Sequence, residues 1–359
     1  MLFRRKRKLV INDSERPRIW ICFVIFAYFF VILWTFISIR LIIGNSSGSN
    51  SLSPNKDIHL IKYLIDRLSK QNTTSVQDFS QQVLENAQMQ RDHFCRVETK
   101  TSFCYKRCLD RNLTNSQFQH TAIIIPYRDR LPQIRGTLAN LSDHLNKTSP
   151  ETCFKFVVVE QLGTLDFNKG KLMNAGFLYT IEKALPFSNC VIFHDSDLIP
   201  TESALIYSCS RYPKHLSVAV DKLSYQLPYA ELIGGVLTVP VNLFLQVNGY
   251  SNMYWRWGAE DDDMYARFTA ENIPILRPDI NIGRYKMVKH KQASLRSLEA
   301  RQLLLSSSSD RYRYEGLNSL KERATLLQIF EPGTENPFSL SPLPYDLYYL
   351  SVPIIKDVG

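Results

Sequence analysis

Four short apolar runs, separated by polar and helix-like stretches, constrain the fold of this chain most strongly. They are AIIIPY, FKFVVVE, CVIFHD and LSVAV, at residues 122–127, 154–160, 190–195 and 216–220. Runs this short and apolar are typical of strands buried on both faces. Their alternation with helix-like segments predicts an α/β sheet sandwiched between helices. Ligands of such sheets bind beyond the carboxyl ends of the strands, which is where PYRDR and HDSD stand.

The amino-terminal end predicts a single membrane anchor. Residues 19–39 are 21 consecutive uncharged positions, enough for a helix to span a hydrocarbon core of ~30 Å. Residues 1–18 carry seven Lys or Arg and two acidic side chains. Their net charge of +5 is more than half of the formal charge of +9 of the whole chain. This asymmetry favours a cytosolic tail and a lumenal carboxyl part, and it indicates topology rather than a nucleic-acid partner. A cleaved signal peptide is the alternative, but no small-residue cleavage site follows the span.

Composition divides the remainder into a stem, residues 40–115, and a folded domain, residues 116–359. The stem begins with GNSSGSNSLSPNK, which is too polar to bury a core. An even number of cysteines follows the anchor, which suggests up to three disulfides in an oxidising lumen: Cys95, Cys104, Cys108, Cys153, Cys190 and Cys209. Five glycosylation sequons agree with lumenal topology: Asn45, Asn72, Asn112, Asn140 and Asn146.

Two acidic groups are candidates for chemistry. Asp195-Ser196-Asp197 closes an apolar strand, and its paired carboxylates suit Mn²⁺ or Mg²⁺ bridging a diphosphate, although a solvated turn capping a helix is the alternative. The segment YWRWGAEDDD, residues 254–263, places two tryptophans and a glycine before four carboxylates. Tryptophan faces pack against sugar rings and carboxylates hold hydroxyls or accept a proton, whereas an acidic first helical turn is the alternative.

A third candidate is the pair Met287 and His290, spaced i, i+3 in GRYKMVKHK. The two side chains would face the same way if the backbone there is helical. Core packing beside a surface imidazole is the alternative, so this pair needs other support.

Together these segments resemble the β1,4-galactosyltransferase family, from about Thr121 to Leu320. The matching order is IIIPYRDR, FNKGKLMNAGF, HDSDLIP, VAVDKLSYQLPY, IGGV, NGYSNMYWRWGAEDDDMYARF, RPDINIGRYKMVKH and EGLNSL. The resemblance implies that the folded domain is a catalytic domain of the GT-A type, with a Rossmann-like nucleotide-binding sheet, and that the reaction inverts the anomeric centre. It also implies a disulfide between Cys190 and Cys209 and leaves the pairing of the other four cysteines open.

Position by position, the resemblance assigns roles to particular residues. It implies Mn²⁺ held by Asp197, Met287 and His290, a mixed hard and soft ligand set that favours Mn²⁺ over Mg²⁺. It makes Asp261, with Glu260, the catalytic pair, in which Asp261 takes the proton of the acceptor's 4-hydroxyl. The implied donor contacts are Pro126, Tyr127, Arg128, Arg130, Phe167, Asn168, Lys169, Asp195, Ser196, Lys222, Leu232 and the mobile-loop Trp257, and the implied acceptor contacts are Gly258, Ala259, Asp262 and Arg301.

The chain departs from the family pattern at four positions. Arg256 and Ala259 replace glycines of WGWGGEDDD, and Lys169 replaces an arginine and its bidentate fork. Leu232 stands where vertebrate galactosyltransferases place a tyrosine that crowds the 2-substituent of the donor. Because invertebrate relatives with an aliphatic residue there tend to transfer N-acetylgalactosamine, the resemblance favours UDP-GalNAc as donor, with UDP-Gal as the close alternative.

The resemblance further implies a terminal N-acetylglucosamine as acceptor and a single-pass type II protein of the Golgi membrane. Homodimer formation through the anchor or stem is left open. A catalytically silent Golgi glycan-binding protein and a xylose-directed or chondroitin-type transferase are the rival functions. The presence of Asp197, His290, Glu260 and Asp261 argues against the silent protein, since such a protein has no chemical need for all four.

Overall fold

The computed structural model describes residues 54–70, 74–97, 119–150, 152–184, 188–290, 294–339, 341 and 343–354. No helix among these residues is both long and apolar enough to cross a membrane. The predicted cytosolic tail and the predicted anchor, residues 19–39, lie outside the described residues.

The domain is built on a seven-stranded sheet whose strand order is β5-β7-β3-β1-β2-β10-β9. The central strands β3, β1, β2 and β10 are parallel, and β5, β7 and β9 run antiparallel to their neighbours at the two edges. A second, three-stranded sheet has the order β4-β8-β6. The strands are β1 Gln119–Tyr127, β2 Thr152–Leu162, β3 Cys190–His194, β4 Leu198–Pro200, β5 Lys214–His215, β6 Ala219–Val220, β7 Val236–Pro240, β8 Arg284–Met287, β9 Thr325–Phe330 and β10 Asp346–Pro353.

Helices connect and cover these strands, so the predicted α/β class is confirmed. Short π and 3₁₀ turns lie at Thr180–Ala184, Asp221–Leu223 and Leu317–Ser319. The helices are α1 Pro54–Lys70, α2 Val76–Val97, α3 Leu131–Thr148, α4 Lys169–Tyr179, α5 Val241–Gln246, α6 Glu260–Ala270, α7 Leu298–Ser306 and α8 Ser308–Arg311.

The apolar runs form strands because both sheet faces are buried. Along β1, Ala122 and Ile124 belong to one hydrophobic core, and Ile123 and Ile125 belong to the core on the opposite face. This is the period of two that a pleated strand imposes on its side chains. Three of the four predicted strands are confirmed as β1, β2 and β3.

The fourth prediction, a strand over residues 216–220, is wrong in its extent. Only Ala219 and Val220 pair as a strand, and they join the smaller sheet beside β8. Leu216 donates its backbone N–H to the carbonyl of Val236 at 2.8 Å, and the side chains of Leu216 and Val220 are buried. The run is therefore apolar because it passes through the core between the two sheets, rather than because it forms one continuous strand.

Two helices precede the sheet within the segment predicted as stem. In α1, the side chain of Ile61 is 1% exposed and packs in a cluster with Met253, Tyr254 and Leu304. In α2, Val83 belongs to the main hydrophobic core. The apolar positions of these helices therefore follow the 3.6-residue period because one side of each packs on the domain.

The disulfide between Cys190 and Cys209, which the family resemblance implies, is present. It joins the first residue of β3 to the loop that follows β4. Cys153, buried in β2, is disulfide-bonded as well, and its partner is not among the described side chains.

A network of four charged side chains lies buried between α6 and α8. The Arg267 guanidinium lies 2.7 Å from Asp263 and 2.9 Å from Glu315, and Arg311 pairs with the same two carboxylates. Burial opposes the ionisation of Asp263, but Arg311 and Arg267 outweigh it and hold the pKa of this carboxyl below its ordinary value. Tyr254 completes the network by donating its hydroxyl to Asp263.

We expect Arg311→Met to lower the free energy of unfolding by about 3–5 kcal/mol, because it leaves buried carboxylates without one of their two cations. Chemical denaturation of the purified chain, followed by tryptophan fluorescence, measures this change. Arg313→Met, two residues later at an exposed position, is the matched control and should change stability by less than ~0.5 kcal/mol. Equal effects of the two substitutions would contradict a structural role for the network.

Candidate active site

A cavity of about 350 Å³ opens beyond the carboxyl ends of β1 and β3. Because β1 and β3 are parallel neighbours, with Ile124 opposite Phe193, the segments that follow them emerge at the same edge of the sheet. The side chains that line the cavity come from six separate segments: Pro126, Arg128, Asp129, Arg130, Phe167, Lys169, Asp195, Ser196, Asp197, Lys222, Arg256, Trp257, Glu260, Met287 and His290.

The smaller sheet brings the acidic triplet, Asp195-Ser196-Asp197, next to the pair Met287 and His290. Leu198 of β4 pairs with Met287 of β8, and the Val288 N–H donates to the carbonyl of Asp197 at 2.7 Å. As a result the His290 Nε2 lies 2.5 Å from the Asp197 Oδ2. The helical spacing considered for Met287 and His290 is wrong, since Met287 ends a strand and His290 follows in an irregular segment.

The chemistry of these donors fits a divalent transition metal. A carboxylate oxygen, an imidazole nitrogen and a thioether sulfur line one cavity and come from Asp197, His290 and Met287. Such a mixed set suits Mn²⁺ better than Mg²⁺, which prefers oxygen ligands alone. Among the described residues no three His, Cys, Asp or Glu side chains are grouped to hold a metal, so the thioether would have to complete the set.

Lys169 forms ion pairs with both the acidic triplet and the acidic first turn of α6. Its Nζ lies 2.6 Å from the Asp195 Oδ1 and 3.3 Å from the Glu260 Oε1. Burial opposes the charge of this lysine, but Asp195 and Glu260 outweigh that effect and raise its pKa well above the ordinary value. Lys169 begins α4, where Asn168 caps the helix by accepting a hydrogen bond from the Lys171 N–H at 2.9 Å.

The acidic run EDDD forms the first turn of α6, where the helix dipole stabilises negative charge. Ala259 precedes it with φ of 75°. Burial, with the charges of Glu260 and Asp262, raises the pKa of Asp261 from 3.8 to about 8. A Cβ at Gly234 would overlap the Asp261 carboxylate, so the glycine makes room for this side chain.

Asp261 itself faces a small cavity that adjoins the large one. Lys169, Asp195 and Glu260 line both cavities, whereas Asp261 lines only the smaller one, together with Gly234. The carboxylate of Asp261 therefore lies directly behind the side chains that face the larger cavity.

The loop that carries Arg256 and Trp257, called the tryptophan loop below, forms one wall of the cavity. Arg256 donates its backbone N–H to the carbonyl of Phe167 at 2.8 Å and its Nε to Asp166 at 3.0 Å. Trp257, by contrast, is 53% exposed. Arg256 and Gly258 both have positive φ, 72° and 101°, so the loop uses a backbone conformation that glycine adopts most easily.

The residues assigned to the acceptor lie close to one another. Tyr229 donates its hydroxyl to the Asp262 Oδ1 at 3.0 Å. The Arg301 Nη1 lies 3.5 Å from the position that a Cβ on Gly258 would occupy. Tyr229 was not among the sequence-predicted site residues, although it stands in the quoted segment DKLSYQLPY.

Three assigned donor contacts do not line either cavity. Tyr127 is buried, with its ring packed edge-on against Phe338 at 5.5 Å between centroids. Asn168 is fully buried and donates to the carbonyl of Asn252 at 2.8 Å, which fixes the start of α4. Leu232 is partly buried, two residues before Gly234. The roles of these residues as donor contacts stay predictions.

Sequence reasoning missed two residues that line the cavity and misjudged a third. Asp129 stands inside PYRDR, and Arg256 was treated only as a loop substitution. Asp263 was grouped with its three acidic neighbours, but it points away from the cavity into the buried arginines. The signal for Asp263 was present: Arg267 follows it at i, i+4 on the same helix face.

Comparison with known proteins supports a single family over most of the described chain. The family described as the N-terminal region of glycosyl transferase group 7 matches residues 67–210, and the N-terminal domain of galactosyltransferase matches residues 214–291. Beta-1,4-galactosyltransferase 2 of Cricetulus griseus is 40% identical over 172 residues. The chain belongs to the β1,4-galactosyltransferase family.

These matches cover part of each relative. The alignment with the Cricetulus griseus protein covers 48% of this chain and 46% of that protein. Beta-1,4-galactosyltransferase 1 of Mus musculus is 36% identical over 60% of this chain and 53% of its own length. The chain thus spans about half the length of the relatives that it matches.

A solved structure has the same fold. The catalytic domain of Drosophila beta1,4galactosyltransferase 7, in complex with xylobiose, superimposes with a TM-score of 0.53 at 22% identity. The superposition covers 67% of this chain and 96% of the Drosophila chain. A mutant of the Drosophila enzyme in complex with manganese, UDP-Gal and xylobiose matches equally well. The GT-A type fold expected from the sequence is therefore confirmed for the described domain.

We expect Asp261→Asn to become progressively more stable than the wild type as pH rises from about 4 to about 8. In this window the unfolded chain has lost the Asp261 proton while the folded protein, whose pKa is raised to about 8, still binds it. Wild-type stability therefore falls with rising pH by up to ~1.4 kcal/mol per pH unit, and the asparagine variant lacks this dependence.

Thermal unfolding of both proteins in chelator-containing buffers across this range checks the prediction. A difference in Tm that stays constant with pH would show that Asp261 ionises normally in the folded state.

Proposed function

We propose that the chain is a Mn²⁺-dependent, inverting β1,4-glycosyltransferase. It transfers galactose or N-acetylgalactosamine from a UDP-sugar to the 4-hydroxyl of a terminal N-acetylglucosamine. The protein would act as a single-pass type II protein of the Golgi membrane with its catalytic domain in the lumen, in keeping with the charge asymmetry around residues 19–39.

One observation carries this proposal. Asp197, Met287 and His290 line the same cavity as Glu260 and Trp257, although these residues are distant in sequence. Cations of the cavity wall, Arg128, Arg130 and Lys222, stand beside the donors for a metal, as the binding of a nucleoside diphosphate requires. The manganese and UDP-Gal bound to the Drosophila relative are consistent with this arrangement.

The reaction needs one displacement and no covalent enzyme intermediate. The acceptor's 4-oxygen attacks the anomeric carbon from the face opposite UDP; the new C–O bond forms as the bond to the diphosphate oxygen breaks, and UDP leaves with the electron pair. Asp261 takes the hydroxyl proton and must therefore be ionised beforehand. Lys169 favours that ionised form, since its charge lowers the pKa that burial raises.

The other groups of the cavity hold the substrates. Arg128 is fixed by a 2.6 Å hydrogen bond to the carbonyl of Leu165 and lies over the Phe167 ring at 5.3 Å. This arrangement gives the donor a cation and an aromatic face from one unit. A divalent cation bound by Asp197, Met287 and His290 would neutralise charge on the departing diphosphate. Asp262, held by Tyr229, is placed to accept hydrogen bonds from acceptor hydroxyls.

Leu232 favours N-acetylgalactosamine over galactose as the transferred sugar. An aliphatic side chain offers no hydroxyl to the 2-substituent of the donor and leaves room for an acetamide where a tyrosine would crowd it. Leu232 lies beside Ile233 and Gly234, which line the small cavity around Asp261. UDP-galactose is the alternative donor, in line with the names of the relatives.

The purified full chain, with Mn²⁺ and each of UDP-GalNAc, UDP-Gal and UDP-GlcNAc, tests the proposal on a panel of glycan acceptors. We expect a β1,4-linked product on acceptors that end in N-acetylglucosamine, identified by NMR, and none after chelation. Transfer to xylosides alone would favour the xylose-directed rival. Glycan binding without any transfer would favour the silent binding protein.

We expect Asp261→Asn to lower kcat at least ~10²-fold, because it removes the general base. The dissociation constant for UDP should stay within about twofold of the wild type, measured by calorimetry. Asp143→Asn is the matched control, since Asp143 lies on the exposed face of α3 in a surface pair with Lys147. Full activity of the Asp261 variant would defeat the assignment of the base.

We expect Leu232→Tyr to move the donor preference towards galactose, because the phenol ring occupies the space of the acetamide. The measurement is the ratio of kcat/KM for UDP-GalNAc and UDP-Gal on one acceptor, with a shift of about tenfold or more. This corresponds to the ~1–3 kcal/mol that one steric contact contributes to specificity. An unchanged ratio would contradict the role given to Leu232.

A further inference from the structure

Two large apolar side chains lie exposed beside the cavity, next to residues assigned to the acceptor. Trp257 is 53% exposed and Leu295 is 52% exposed. Trp257 lines the cavity itself. Exposed apolar side chains that adjoin a cavity rich in charged groups often mark a place where a ligand is bound.

The backbone fixes Leu295 next to the tryptophan loop. Trp257 and Leu295 form a parallel bridge, in which the Trp257 N–H donates to the carbonyl of Ser294 at 3.4 Å. Arg296, the next residue, donates to the carbonyl of Met253 at 2.7 Å. Leu295 is therefore held with its side chain outward instead of turning into the core.

Gly258 connects this apolar pair to the acceptor residues. A Cβ on Gly258 would lie 3.7 Å from the Leu295 Cδ2 and 3.5 Å from the Arg301 Nη1. The leucine methyl group and the guanidinium thus flank the same small space above the glycine. Asp262, which accepts a hydrogen bond from the Tyr229 hydroxyl, follows in the first turn of α6.

The orientation of an acceptor sugar follows from the proposed function, on which this inference rests. The 4-hydroxyl must reach Asp261, which lies behind the larger cavity. In a pyranose ring the anomeric oxygen is opposite the 4-oxygen, so whatever is attached to the anomeric oxygen points outward to the mouth. At the mouth that group meets Leu295 and Trp257.

We propose that Leu295, together with Trp257, forms a subsite for an apolar group attached to the anomeric oxygen of the acceptor sugar. Among acceptors that present the same sugar, this site then prefers glycosides with an aromatic or aliphatic aglycone. The methyl groups of leucine form no hydrogen bonds with sugar hydroxyls. Contact between these methyl groups and an apolar aglycone, by contrast, removes apolar surface from water. Leu295 is accordingly a specificity-determining residue.

The test compares two acceptors that differ only in the aglycone: methyl and p-nitrophenyl β-N-acetylglucosaminide. With the full chain, Mn²⁺ and the better donor, we expect the wild type to have a KM at least about fivefold lower for the aryl glycoside. Leu295→Ser should bring the ratio of the two KM values close to one. Leu327→Ser is the matched control, because Leu327 is 50% exposed on β9 and lines none of the described cavities near the site.

The proposal is overturned if the wild type does not prefer the aryl glycoside, if Leu295→Ser keeps the wild-type ratio, or if Leu327→Ser loses the preference equally. Calorimetric titration of both glycosides into the chain with Mn²⁺ and UDP gives the same ratio without turnover. A preference in binding that Leu295→Ser removes, in a protein that transfers no sugar, would refute the proposed function while leaving the subsite in place.

Discussion

The buried pairing of two arginines with two carboxylates determines where the acidic helix points. Asp263 and Arg267 belong to α6, whereas Arg311 and Glu315 belong to α8 and the segment after it, and all four side chains are at most 1% exposed. Removing charges from water is unfavourable unless each has its partners. The network therefore favours one orientation of α6. This orientation determines where the other carboxylates of its first turn point.

In the first turn of α6, Asp263 belongs to the network that stabilises the fold, whereas Asp261 is the proposed base. Asp263 is surrounded by arginines, which hold its pKa below the ordinary value, whereas burial and neighbouring carboxylates raise the pKa of Asp261 to about 8. Adjacent residues of the same type thus have opposite electrostatic surroundings. Lys169 is the cation that offsets this negative charge, and it also reaches Asp195 at the end of β3. The two acidic groups are in this way coupled through one ammonium group.

The central strands and the convergence of the acidic triplet with Met287 and His290 could be predicted from sequence. Buried parallel strands and strand-end motifs leave a local signature, and the family resemblance supplied the distant partners. The split of residues 216–220 could not be predicted, because an apolar run reads alike in a strand and in a core crossing. For Asp263, Arg267 at i, i+4 is a local signal of the inward direction, but the second partner, Arg311, is 48 residues away and leaves none. The bridge between Trp257 and Leu295 likewise depends on tertiary pairing that leaves no local pattern.

The left-handed backbone at Arg256 and Ala259 has a consequence for timing. A residue with a Cβ has fewer dihedral states open to it than the glycine of the family pattern. Arg256 is held in a sparsely populated state by its hydrogen bonds to Asp166 and Phe167. Leaving this conformation requires those hydrogen bonds to break together. The segment should accordingly exchange between conformers more slowly than a glycine-rich counterpart, which in the proposed reaction would slow any step that requires this loop to open.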